Sequence, residues 1–324
     1  MEKLDLKDKK ILNELFIDSR QSFRSIGRKV GLSKDIVASR VKKLQEREII
    51  LRFFPYYDIL QLGLNLIRFY FKFQYVTPEI KEEIINHFFN YEKVKNIFST
   101  EGSYNLGVLM MVERDSDIYP FWKDTLKKYG DYFSNRVFSV YMGEQIYGQT
   151  FLLEDFDMPK RSPLIRNLGK VKIDKLDLEI LKLLVSDARM PTVEIAKKLK
   201  TNVSTINSRI KRLLELKVIL GFTVELDLNK INYQIWKVDF YLSEYSKINQ
   251  IINYIEKNPN LYSVDYTIGY ADLELEIYVK TISDLNKIID DLHLKFPKII
   301  REYSYFRVVK MHKWYDLKGD LLEI

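Results

Sequence analysis

Apolar residues recur at helical spacing near the start of the chain: Ile11, Leu12 and Leu15, then Ile26 and Val30, then Val37, Val41 and Leu44. This spacing predicts three short helices, with Asp5, Ser22 and Ser33 as caps. The turn Gly31-Leu32-Ser33 separates the last two, and its glycine suits a left-handed residue. Ile49-Ile50-Leu51 then begins a strand that backs the helices. From Leu66 onward the period changes. Strands are expected over 66–75, 94–100, 104–113 and 135–142, with helices over 78–90 and 118–129. This βαββαβ order is that of the ferredoxin-like split motif. Leu106, Val108, Met110 and Val112 alternate with Gly107, Leu109 and Met111, so both faces of that strand are apolar. A one-sided sheet would leave half of these residues wet, which implies a partner surface.

The whole pattern then repeats. Shifted by 169 positions (177 − 8), residues 8–53 share 16 identities in 46 positions with residues 177–222. Asp18 and Arg20 meet Asp187 and Arg189, and Ser39-Arg40 meets Ser208-Arg209. Asp174 and Asn202 take the capping places, Pro191 starts the second helix, and Ile180, Leu181, Leu184, Ile195, Leu199, Ile206, Ile210 and Leu213 repeat the buried stripe. Gly27 and Ala196 share a position that suits only a small side chain between helices. Lys200 stands in the place of Gly31, where a left-handed conformation costs a residue with a Cβ about 1 kcal/mol. Strands over 235–243, 261–267, 271–280 and 301–309, with helices over 248–257 and 285–296, complete the second copy; its register is 167 (269 − 102) after a two-residue loop deletion. So long a period is a tandem duplication, not a solenoid of repeats of about 20–50 residues.

Between the copies, Gly148, Pro159, Pro163 and Gly169 with Lys160, Arg161, Arg166 and Lys170 read as a solvated linker over 143–172, with a short strand at Phe151-Leu152-Leu153. Extended, it would span roughly 100 Å. That reach lets the two sheet units of one chain face each other, and an exchange between chains would read the same way. The expected assembly is therefore intramolecular pairing or a homo-oligomer.

Composition narrows the function. The chain has no cysteine, which excludes a thiol nucleophile, a disulfide framework and a cysteine-ligated zinc finger, and suits the cytoplasm. No apolar run is long enough for a bilayer, so no membrane partner is expected. Of the net charge of +7, residues 1–54 carry +6 (14 − 8) and residues 170–222 carry +6 (12 − 6), leaving −5 for the rest. Two equal basic footprints on an otherwise acidic chain point to a polyanion, most simply double-stranded DNA.

The third helix of each helical unit carries the candidate chemistry. Copy one offers Ser33, Lys34, Ser39, Arg40, Lys42 and Lys43; copy two offers Asn202, Ser204, Thr205, Asn207, Ser208, Arg209, Lys211 and Arg212. Short hydrogen-bonding groups near a helix N-terminus can reach base edges, and the cations behind them can meet phosphates. Asp-x-x-Ile-Leu, Asp-x-Arg, Ser-Arg-(Val/Ile)-Lys-(Lys/Arg)-Leu and the isoleucine pair together resemble the helix-turn-helix of the Lrp/AsnC transcription regulators, over both units. The resemblance implies an α+β chain: winged helix-turn-helix domains at 1–54 and 173–222 alternate with two ferredoxin-like βαββαβ (RAM) domains at 55–142 and 223–324. It further implies that the open sheet faces pair, and that a small effector such as an amino acid binds at a Gly-x-x-Asp turn. Those positions are Gly269 and Asp272 in copy two and Gly102 and Asn105 in copy one, the alternative being a tight hairpin with polar tips. Ile36 and Asp35 replace Thr205 and Ser204, which makes copy two the better expected reader of DNA.

Two other functions compete. An architectural protein that coats DNA with little sequence preference would carry the same basic footprints. Siroheme decarboxylases are built from Lrp/AsnC-like halves, and Tyr104-Asn105-Leu106 is similar to a segment of theirs. Against an enzyme, no phosphate-cradling glycine loop occurs, and His87, His293 and His312 are far apart in sequence. The expectation is a non-enzymatic regulator without cofactor or metal.

Overall fold

A computed structural model describes residues 3–148, 150–153, 164–165 and 171–314. The first copy runs α1 (Leu6–Ile17), α2 (Phe23–Val30), α3 (Lys34–Glu46), β1 (Ile50–Tyr57), β2 (Asn65–Phe73), α4 (Pro78–Phe89), β3 (Val94–Gly102), β4 (Leu106–Val112), α5 (Ile118–Tyr129) and β5 (Phe133–Ile146). A two-residue strand β6 (Leu164–Ile165) precedes the second copy. That copy runs α6 (Lys175–Ser186), α7 (Thr192–Lys198), α8 (Val203–Glu215), β7 (Ile219–Leu226), β8 (Gln234–Leu242), α9 (Ile248–Ile255), β9 (Leu261–Ile268), β10 (Leu273–Val279), α10 (Ile282–Lys295) and β11 (Ile300–Lys313).

The helix ends form where the sequence places them. Asp5 accepts from the Asp8 N–H at 2.8 Å while Asp8 accepts in return, and Asp174 and Asp177 make the same capping box. Gly31 is left-handed at φ 68°, and Lys200 adopts φ 51° at the equivalent turn. Lys200→Gly should therefore stabilise the protein by about 1 kcal/mol in a urea titration. No change would mean that the lysine side chain offsets its backbone strain. The smallness of Gly27 has a different partner from the one expected. A Cβ there would stand 2.5 Å from the Leu32 carbonyl oxygen, so the turn backbone, not a crossing helix, enforces it.

Each strand that follows a third helix pairs with its counterpart. β1 and β7 form an antiparallel ribbon in which Ile50 faces Leu226 and Tyr57 faces Ile219. Those two pairings exchange under the 169-residue shift, so a local two-fold axis passes through the ribbon. The wing is thus shared by the copies. Backbone bonds obey the same symmetry: Ser19 N–H to Phe222 O is 2.9 Å and Ala188 N–H to Phe53 O is 3.1 Å.

Each sheet unit has the ferredoxin-like strand order, β5-β2-β4-β3 in copy one and β11-β8-β10-β9 in copy two. The open faces meet within one chain, with Tyr70 of copy one packed on Phe306 of copy two. The units also join edge to edge, β3 to β11 and β5 to β9, so eight antiparallel strands close into a barrel within one chain. Closure pairs both edges of each of these eight strands within the chain. Helices α4 and α5 cover one outer face, with Phe88 and Phe121 on Phe71 and Phe69; α9 and α10 cover the other, Ile251 and Leu292 joining the cluster of Phe240.

The expected linker is also corrected. Residues 143–146 continue β5, and Thr150–Leu153 form one buried 3₁₀ turn instead of a strand, with Phe151 packed on Tyr233 at 4.4 Å. Once β5 pairs with β9, apolar residues in the following segment have a core to enter. Lys160, Arg161, Arg166 and Lys170 lie outside the described residues.

Candidate nucleic-acid interface

Helices α3 and α8 bury Val37, Val41 and Leu44, or Ile206, Ile210 and Leu213, and turn their remaining residues outward. Ser33, Lys34, Ser39, Lys42 and Lys43 are exposed on α3, as are Asn202, Ser204, Asn207, Ser208 and Lys211 on or beside α8. Ile36 is 47% exposed among them, beside exposed Asp35. The caps organise the leading end of each helix. Ser33 Oγ accepts from the Ile36 N–H at 3.3 Å. Asn202 Oδ1 accepts from the Thr205 N–H and from the Ser204 and Thr205 hydroxyls at 2.7–2.8 Å. Lys42 and Lys211 make the same exposed pair with Glu46 and Glu215, at 3.7 Å. Such pairs contribute little and leave the cations available.

The arginines of these helices also make ion pairs within each head. Arg40 donates to Asp5 at 2.8 Å and Asp8 at 2.7 Å; Arg209 contacts Asp174 at 2.5 Å and Asp177 at 3.2 Å; Arg212 contacts Asp177 at 2.5 Å. Each bolts its third helix to the capping box of the first. Asp174 is held below the usual carboxylate range by the Asp177 backbone N–H and by Arg209. Even so paired, the Arg40 and Arg209 side chains stay 30% exposed and that of Arg212 43% exposed.

Arg20 and Arg189, which looked like a turn motif, form the joint between the copies. Arg20 donates to the carbonyls of Ala188 (2.5 Å) and Met190 (3.2 Å), and Arg189 donates to those of Ser19 and Gln21 (3.3 Å). Arg189 also stacks 4.4 Å from the Phe23 ring centroid. These are reciprocal contacts under the same shift. The identity of the two arginines in exposed-looking turns was the available signal.

Gly102 and Gly269 have φ of 123° and 97°, and a Cβ on Gly102 would lie 2.7 Å from Tyr305 O. Asn105 Oδ1 accepts from the Phe73 N–H at 2.9 Å, and Asp272 Oδ2 accepts from the Leu242 N–H at 2.7 Å. Amide and acid thus do the same job, tying a hairpin to the end of the neighbouring strand.

Sequence reasoning missed the barrel interior. Arg68, 2% exposed, pairs with Glu274 and lies 3.4 Å from Asp265. Lys237 pairs with Asp265 at 2.7 Å and Glu276 at 2.8 Å. Asp239 is buried beside them and accepts from the Tyr270 hydroxyl at 2.7 Å. Burial, then repulsion from Glu274, pushes its pKa up to about 7. A raised acid pKa means that the folded state holds the proton more tightly, so its contribution to stability is present at low pH and is lost as pH rises towards 7. Asp239→Asn should therefore gain stability relative to the native chain between pH 5 and pH 8, measured as urea midpoints. A constant difference would contradict the shift. A cavity of about 230 Å³ opens beside this cluster, under the β1 side of the ribbon.

With this geometry in hand, relatedness is decisive. The AsnC-type helix-turn-helix domain matches at residues 4–45 and again at 173–214. An HTH-type transcriptional regulator of Pyrococcus furiosus is 34% identical over 119 residues, 37% of this chain and 80% of the relative. The chain belongs to the Lrp/AsnC family. Regulator FL11 of Pyrococcus horikoshii is 30% identical over 144 residues, 44% of this chain and 94% of that one. Among solved structures, the siroheme decarboxylase NirDL aligns with 97% of this Lrp/AsnC chain and 94% of its own, with a TM-score of 0.64 and 14% identity. That likeness concerns the fold, tandem arrangement included. His87, His293 and His312 bond separately to Thr125, Ile289 and Ser99, and none lines the cavity. Among the described residues no helix is long and apolar enough to cross a membrane.

Proposed function

We propose that this chain is a sequence-specific DNA-binding transcription regulator, a covalent pseudo-dimer whose two heads contact two half-sites of double-stranded DNA. The observation that carries this reading is the reciprocal joint of Arg20 and Arg189 together with the shared ribbon. It fixes two helix-turn-helix units in a two-fold relation, as a two-part site requires. Ser39, Lys34, Lys42 and Lys43 serve head one; Ser204, Thr205, Asn207, Ser208 and Lys211 serve head two. Arg40, Arg209 and Arg212, paired with the first helix's capping acids yet partly exposed, meet phosphates beside them. Head two is the stronger reader, since Ile36 and Asp35 oppose base contact in head one.

A decarboxylase role for this chain has less support. The cavity's Arg52, Arg68 and Lys237 already face acids, so they are not free to hold a substrate's carboxylates. An architectural role is distinguished by measurement. In gel-shift titrations on selected DNA, Asn207→Ala should cost about 1–3 kcal/mol on the preferred site and relax its sequence. Lys211→Ala should weaken all sequences alike and lower the salt slope by about 1. Uniform loss in both variants would favour the architectural reading.

A further inference from the structure

The cavity under the β1 side of the ribbon is lined by residues of both copies. Arg68 of β2 and Lys237 of β8 are equivalent under the 169-residue shift, and both line it. Around them the copies have diverged in opposite directions. Tyr70, Phe98, Gly107 and Leu109 of copy one correspond to Asp239, Asp265, Glu274 and Glu276 of copy two, by shifts of 169 for the first and 167 for the others. The Phe98 ring lies over Gly107, where a Cβ would come within 2.3 Å of it; the same cross-strand pair in copy two is Asp265 with Glu274. Of these positions, Tyr70, Phe98 and Leu109 line one wall, and Asp265 and Glu276 line the other, where Tyr262 and Tyr278 join them. Two identical subunits could not build such a site, because any change would appear on both walls.

The cavity also contains unmet hydrogen-bonding capacity. Arg68 Nε, Tyr70 Oη and Asn96 Oδ1 are buried and have no hydrogen-bond partner among the described residues. All three residues line the cavity, and Arg68 and Tyr70 are 2% and 1% exposed. Buried polar atoms without partners are rare, because each forfeits its hydrogen bonds to water. Two of the three atoms offer donors and one is an acceptor. The charges, by contrast, are spoken for. Arg68 faces Glu274, Lys237 faces Asp265 and Glu276, and Arg52 at the rim faces Glu225. Among the described residues, each of these cations already faces an acid, so an added anion would have to displace a carboxylate.

We propose that this cavity binds a small, uncharged, planar aromatic molecule bearing a carbonyl-type acceptor next to an N–H donor, such as an aromatic amide. A cavity of about 150 Å³ accommodates benzene, so about 230 Å³ holds one ring with a short polar substituent. The ring lies against Phe98 and Leu109, the carbonyl accepts from Arg68 Nε–H and Tyr70 O–H, and the N–H donates to Asn96 Oδ1. This site is separate from the hairpin tips of Gly102 and Gly269. Its roof is Arg52, Phe54 and Tyr56 of β1, so occupancy bears on the ribbon that joins the heads; that consequence rests on the DNA-binding reading.

The test uses the full chain without DNA, with benzamide as probe and benzoate and toluene as controls, by titration calorimetry and ligand-observed NMR. Benzamide should bind saturably, one per chain, about tenfold tighter than either control. Tyr70→Phe removes only a hydroxyl without a partner, so its melting temperature should hold or rise while benzamide affinity falls about three- to tenfold. Asn96→Leu should weaken benzamide alone in the same way. No saturable binding, equal binding of benzoate, or affinity untouched in both variants would overturn the assignment. DNA binding is measured separately without probe. Loss of DNA binding with benzamide binding retained refutes only the regulator reading; the reverse result refutes only the cavity site.

Discussion

Arg68→Met should destabilise the fold by about 3–5 kcal/mol, the scale expected when one member of a buried ion pair is removed. Methionine fills a similar volume, so the loss is electrostatic. Glu274 would keep only the Thr267 hydroxyl, and Asp265 would keep Lys237. Asp239, already repelled by Glu274, would hold its proton more strongly. The double variant Arg68→Met, Glu274→Gln should recover part of the loss, because the uncompensated charge goes with it. Urea titrations of the native chain and the variants decide the matter. A loss below about 1 kcal/mol for the single variant would show that water reaches the cluster and that the interior is not dry.

The second large effect concerns the joint. Replacing Arg20 and Arg189 together by alanine removes four donor contacts to the opposite copy while leaving the ribbon paired. The heads should then lose their fixed separation. For a site that both heads must reach at once, the second contact depends on effective concentration, so loosened geometry should cost affinity at least tenfold on the preferred site and little on random DNA. Gel shifts on sites with the half-site spacing changed by a few base pairs give the sharper readout. The native chain should show one preferred spacing and the variant a flattened profile. Equal profiles would assign the geometry to the ribbon alone.

Much of this was legible in the sequence because duplication makes a sequence annotate itself. The helix caps Asp5, Ser33, Asp174 and Asn202, the left-handed turn at Gly31 and Lys200, and the order of strands and helices in each half follow from local rules, and local rules decide such features. What the chain does across the axis was not legible. Arg40 and Arg209 sit on the outer helix with the spacing of DNA contacts, yet each folds back to an aspartate about 35 residues earlier. Only tertiary approach sets that choice. The barrel closure depends on β3 meeting β11 and β5 meeting β9, pairings between edges that look alike in sequence. The cavity was hidden for a related reason. Tyr70 against Asp239, or Phe98 against Asp265, reads as drift between copies until the strands bring the two walls together. The alternation of apolar residues on both faces of β4 did signal a covered interior, but not its charges.

Selection of bound fragments from random double-stranded DNA at physiological salt, with the chain's stoichiometry on the winning sites, tests the covalent pseudo-dimer most directly. Enrichment of a two-part motif at one fixed spacing, occupied by a single chain and read more strictly on one half, is the expected result. Uniform recovery of all fragments, or a one-part motif bound by independent heads, would contradict it.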